Sequence, residues 1–279
     1  MMLAQSVASE ALLLRRRPAP YVVGGLWLAM IAGFAFGIPY IVYLTVSVSA
    51  EEKKSLLDIL LPSAVDITSI SSYPLFGGAV MLILGVLISG SEYRWKTWKS
   101  RFTQGPQRYE VLIAKMTVGA LGVVLICTTA LALAMAISAV IALVEGAPLS
   151  WPAPVALLAS LGAAALISVA WLSVGIALGV IFRGTTVALA VGLLWTLAFE
   201  NVVVGLATIV PALESLRLVL LGSASGSLVG SLGAASLSEG GTPGVVHVMS
   251  GPVAAGVLAA YILLSAAISC LLLQRRDVA

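Results

Sequence analysis

Charge is scarce in this sequence. Only 10% of its 279 residues are Asp, Glu, Lys or Arg, whereas a soluble domain carries roughly 25%. Most of the surface must therefore face something other than water, and a mean hydropathy of +1.10 agrees. Histidine is scarcer still. His247 stands alone, which excludes an HExxH zinc site and leaves a His-based metal centre without ligands. The two cysteines, Cys127 and Cys270, lie in apolar runs without CxxC spacing, so neither a disulfide framework nor a zinc site can be read. They are expected to be small packing residues. No Gly-Lys dipeptide occurs, so a Walker A phosphate loop is absent and ATP cannot be bound by that means. A cleavable signal peptide is not expected, because Arg15-Arg16-Arg17 precede an apolar run too long for an h-region.

What the chain has is apolar length. A helix needs about 20 apolar residues to cross ~30 Å of hydrocarbon. Six segments qualify or nearly do: 21–48, 74–90, 111–144, 154–182, 185–210 and 253–273. They use nearly all the length, so one all-α transmembrane domain over 1–279 is expected, with no soluble catalytic domain. The second segment is short. The third, at 1.5 Å per residue, would be roughly 50 Å long and should be tilted, broken or extended past the bilayer. The fourth and fifth meet at Arg183-Gly184, where the glycine is expected to take positive φ.

Basic residues set the orientation. With the N-terminus in the cytoplasm, all the basic residues except Lys53, Lys54 and Arg217 fall inside, while Glu51, Glu52, Asp58, Asp66, Glu145, Glu214 and Glu239 fall outside. An even number of spans returns the C-terminus, with Arg275 and Arg276, to the same side. The expected location is the plasma membrane, multi-pass, with both termini cytoplasmic. Residues 3–14 form an amphipathic stretch suited to the inner interface. The outer loop 211–251 is rich in Gly and Ser yet contains Leu213, Leu216, Leu218, Leu220 and Leu221. It is too apolar for a plain linker and fits a re-entrant hairpin of two short helices, tolerated where its backbone is buried in protein. Ser225-Gly226 with His247 does not make an intramembrane serine protease, since both lie in that one outer loop. Glu51-Glu52 is read as part of a solvated loop.

The densest motif is residues 91–116, SEYRWKTWKSRFTQGPQRYEVLIAKM. Glu92 ends the second span. A basic, aromatic segment follows with Trp95, Trp98 and Phe102, Gly105-Pro106 breaks it, and Arg108 and Lys115 enter the third span. A positive-inside anchor with interfacial tryptophans is one reading. The stretch also resembles the first cytoplasmic loop of type-2 ATP-binding-cassette (ABC) exporter permeases. Glu92, Thr97, Gly105-Pro106, Arg108 and Lys115 occupy the family's motif places, and Lys96 stands where a Gly is usual. The resemblance covers the architecture of the whole chain and about 25 residues of motif. It implies a permease subunit that pairs with a second copy or a homologue. The loop 91–110 would dock on a separate cytoplasmic ABC ATPase, which holds ATP and Mg; the chain itself would be no enzyme and carry no cofactor. The implied coupling residues are Glu92, Trp95, Thr97, Trp98, Arg101, Arg108 and Lys115. Membrane lipid is the other expected partner, and nucleic acid is not.

Glu200-Asn201 lies well inside the fifth span, where an acid costs about 2.5–3.5 kcal/mol on insertion scales. It reads either as lining a translocation path or as an interhelical hydrogen bond, including one at a dimer seam. Gly33-x3-Gly37 and Gly175-x3-Gly179 allow close helix contact, and the resemblance to type-2 ABC exporter permeases, which pair through their first and fifth spans, implies the first span as a candidate for the dimer seam. Two other functions stay open: an ion-coupled secondary transporter, which would want more intramembrane ionisable groups and internal repeats, and a non-transporting membrane assembly protein or enzyme.

Overall fold

The computed structural model describes residues 2–47, 49–95, 98, 107–207 and 210–275. Among these there is helix and no strand. Six helices are long and apolar enough to cross a membrane: Pro18–Thr45, Pro62–Arg94, Arg108–Glu145, Pro154–Ile181, Thr186–Leu206 and Gly251–Arg275. The chain is an all-α multi-pass membrane protein. The ends carrying Arg17, Arg94, Arg108 and Arg275 gather on one side, called here the basic end.

The spans are not equivalent. In its most apolar window the second span is 78% buried and the fourth 67%, against 28% for the third and 22% for the sixth. The second and fourth therefore form the core, and the others wrap it with one face turned outward. Their seam is made by missing side chains. A Cβ on Gly85 would overlap the carbonyl oxygen of Leu172, and one on Gly175 that of Leu82. Ser89 crosses the seam and donates to the Ile176 carbonyl at 3.0 Å. Trp171 lies fully buried against Gly78. Of the two small-residue spacings, Gly175-x3-Gly179 makes this seam, whereas Gly33 faces open space.

The second span is longer than its apolar run. It begins at Pro62 rather than Pro74, so the second half of the outer stretch 49–73, which was expected to be part helix, belongs to the span, and Ala50–Asp58 forms a separate helix before it. Pro74 has no N–H, and its ring should clash with the carbonyl four residues back. A widened π turn, Tyr73–Gly77, absorbs it, and Gly77 donates back to Ser72 at 3.3 Å. Another π segment, Ile31–Gly37, precedes Pro39 in the first span. The third span is a single unbroken helix of 38 residues. It starts with Gln107 and Glu110 bonding reciprocally and ends on Gly146 at φ +66°. At that far end Glu145 accepts from Tyr40 and Tyr43, each at 2.8 Å, tying it to the first span. Between the fourth and fifth spans the positive φ falls on Arg183, at +50°, and not on Gly184. The helix ends at Ile181, so the left-handed position past its cap lands one residue earlier than expected.

The loop before the sixth span contains a 3-10 turn, Pro211–Leu213, a one-turn helix, Glu214–Arg217, a buried helix, Leu221–Gly230, and a second 3-10 turn, Leu237–Glu239. Two short helices were expected here, and of the two only Leu221–Gly230 is buried. After the buried helix the chain returns as irregular backbone, held where Ser227 accepts from the Val248 amide at 3.2 Å. Gly226 and Gly230 let this return lie directly on the helix, because a Cβ at either would strike Gly244 or His247. Glu239, which accepts from the backbone N–H and the hydroxyl of Ser236, has its carboxyl held below the ordinary range. It also faces His247 at 3.5 Å.

Candidate functional site

Two polar constellations stand out, at opposite ends of the bundle. The first is at the basic end. Helix Met2–Arg16 runs along the third span, and its one acid, Glu10, turns inward, 5% exposed. Glu10 meets Lys115 at 3.2 Å. Lys115 lies 2.7 Å from Glu92, and both are essentially removed from solvent. Arg17, in the extended link before Pro18, reaches Glu92 at 3.3 Å and donates to Ser91 at 3.3 Å. Two acids and two bases thus neutralise one another in the interior, which is the condition for burying charge at tolerable cost.

The tryptophans of the motif frame this cluster. Trp98 is buried, with the Lys115 ammonium 5.5 Å from its ring centroid and Tyr93 at 5.8 Å. Trp95 is 57% exposed and lies beneath the Arg17 guanidinium at 5.1 Å. Arg108 donates to the Leu273 carbonyl at 2.7 Å, satisfying one of the orphan acceptors that close the sixth span. So Glu92, Trp98, Arg108 and Lys115 are engaged within the chain, and Trp95 presents the outward aromatic surface. Thr97 and Arg101, with Lys96, Phe102 and Gly105-Pro106, lie outside the described residues.

Sequence reasoning missed Glu10 and Arg17. A signal existed for the first: Glu10 is the only acid in the first 50 residues and sits on an otherwise apolar helix. Arg17 was concealed in an arginine run that basic-end anchoring explained fully.

The second constellation surrounds Glu200. The fifth span widens into a π segment, Leu194–Phe199, immediately before it. Asn201 donates to the Thr196 and Leu197 carbonyls at 3.2 and 3.1 Å, consistent with groups that the widened turn leaves under-bonded. Glu200 is 4% exposed. It accepts from Trp195 at 2.9 Å and from the Gly222 amide at 2.7 Å. The acid therefore caps the N-terminus of the buried helix Leu221–Gly230, whose own cap residue, Leu220, has no side-chain oxygen. A cavity of about 290 Å³ opens beside it. Thr196, Glu200 and Val204 of the fifth span form one wall, and Pro74 and Leu75 another. Leu237 and the 243–246 return cover it.

No family model matches the chain, and no curated protein matches it in sequence. Among the described residues no group of His, Cys, Asp and Glu could hold a metal ion. Functional argument therefore rests on these two constellations. The basic-end cluster joins four pieces of chain, namely the N-terminal helix, the link to the first span, the second span and the third. A displacement of any one must be followed by the others or must break buried ion pairs.

Proposed function

We propose that this chain is the permease subunit of an ATP-driven exporter of the type-2 ABC class. In this reading it works as a dimer, and a separate cytoplasmic ATPase supplies ATP and Mg. The buried Glu10–Lys115–Glu92–Arg17 cluster carries the proposal. A coupling loop needs a rigid connection to the spans it moves, and the ion pairs supply one on both sides of the 95–106 segment. Trp95 offers the partner-facing aromatic anchor, and Arg94 next to it is also exposed. Trp98, turned inward onto Lys115, holds the segment rather than the partner. The open face at Gly33 suits the first span for the dimer seam.

Replacing Trp95 with Ala should cut co-purification with the ATPase roughly 30-fold, since a buried interface anchor commonly accounts for about 2 kcal/mol. The permease's melting temperature should stay put, because Trp95 is mostly exposed. Full retention of the ATPase by this variant would remove the docking role. The purified chain alone should hydrolyse no ATP.

Orientation is tested separately. In a chain with both native cysteines replaced by Ala, a cysteine at Gln107 should be labelled only from the cytoplasmic side and one at Ser238 only from outside. The opposite pattern would turn the proposed docking end away from any cytoplasmic ATPase.

A second reading, an ion-coupled transporter, is favoured by Glu200 standing at the wall of a cavity. It predicts transport that survives without any ATPase and collapses with an ionophore. The exporter reading predicts the reverse.

A further inference from the structure

We infer that the cavity beside Glu200 is a binding site for a small amphipathic amine. Four observations converge on it. Glu200 is nearly fully buried in an apolar span, yet among the described residues no Lys, Arg or His pairs with it. Its charge is met by dipoles alone: the Trp195 indole N–H, the Gly222 amide, and the N-terminal end of a 10-residue helix. Ser223, one residue further along that helix, is 2% exposed, and its hydroxyl has no hydrogen-bond partner. Ser223 and Glu200 both line the same 290 Å³ void.

Capping alone does not account for this arrangement. A neutral Ser or Asn side chain caps a helix as well as a carboxylate does, and a cap needs no void next to it. A cationic ligand needs both a counter-charge and room. The carboxylate supplies the counter-charge that no side chain provides. Apolar walls from Pro74, Leu75, Val204, Leu237, Val245 and Val246 bury the rest of the ligand.

A carboxylate has about four acceptor positions, and hydrogen bonds from Trp195 and Gly222 occupy two of them. The positions left can accept from an ammonium, which brings three N–H donors. The volume lies at the small end of ligand pockets, which run from roughly 300 to 1,000 Å³. It fits one ring with a short alkyl arm.

Binding here does not depend on an ATPase, so it is measured on the purified chain in phosphatidylcholine nanodiscs. The probe is tritiated 4-phenylbutylamine, with unlabelled 4-phenylbutanol as competitor. Saturable binding of one amine per chain is expected, with the alcohol competing at least tenfold more weakly. Glu200→Gln should weaken binding at least tenfold. Val204→Trp should abolish it by filling the void while leaving Glu200 and its cap in place, so it decides the matter if the Gln variant fails to fold. Binding no greater than that of empty nanodiscs, equal competition by the alcohol, or unchanged binding in Val204→Trp would each overturn the site. Such a failure leaves docking at the basic end untouched, and a failure of docking leaves amine binding in place.

Discussion

Lys115→Ala is expected to be the most damaging single substitution at the basic end. It removes the cation that sits 2.7 Å from Glu92 and 3.2 Å from Glu10. Arg17 still reaches Glu92, but Glu10 loses its ion pair with Lys115. Breaking a buried ion pair from one side costs about 3–5 kcal/mol, because an uncompensated charge stays behind. That is a large share of the stability of a typical domain, about 5–15 kcal/mol. The expected result is a chain that inserts but does not survive detergent extraction as a monodisperse species. The quadruple change Glu10→Gln, Arg17→Met, Glu92→Gln, Lys115→Met removes the four charges together and should recover much of the loss. It should not recover coupling to an ATPase, since the rigid ionic joint is gone. Size-exclusion profiles and thermal melts in one detergent measure the stability part. If Lys115→Ala melts with the wild type, the cluster is not the joint described here.

Gly175→Val should be nearly as severe, for a steric reason. Its Cβ would overlap the Leu82 carbonyl oxygen, and a backbone oxygen inside a helix cannot swing aside as a flexible side chain could. The second and fourth spans must then separate along the seam that carries Ser89, Gly85 and Trp171. Overpacking a well-packed core costs about 1–3 kcal/mol, and more when backbone must move. Gly33→Val is the matched control, because a Cβ there meets nothing within the chain. The expected ranking is a strongly lowered melting temperature for Gly175→Val and none for Gly33→Val in the monomer. Equal melting of the two would refute the glycine seam. A selective loss of dimer in Gly33→Val would support the first span as the pairing face.

The six spans were legible because crossing a bilayer is a local requirement. Every span needs its own run of apolar residues, and a window of about 20 positions contains the whole signal. The second span shows the limit of that signal. Its outer half carries Asp66 and several serines ahead of Pro74, so hydropathy alone does not mark it as part of a span. It is helix because neighbours satisfy it. Ser160 donates to the Asp66 carbonyl at 2.6 Å, Ser138 donates to Leu60 at 2.9 Å, and the π turn makes room for the proline.

The candidate residues divide in the same way. Glu92, Lys115 and Glu200 could be picked out from sequence because charge in or beside an apolar run is costly wherever the chain goes. Composition and pattern alone therefore determined an all-α multi-pass protein, its basic end, and the short roster of charges that needed an explanation. What those charges do is a matter of partners. Glu10 lies 105 residues from Lys115, and Glu200 is answered by a backbone amide 22 residues away, a group that every residue except proline possesses. No side-chain pattern marks such a partner. Only the packing of the N-terminal helix on the third span, and of the buried helix Leu221–Gly230 against the fifth, decided that one acid became part of a joint and the other the wall of a cavity.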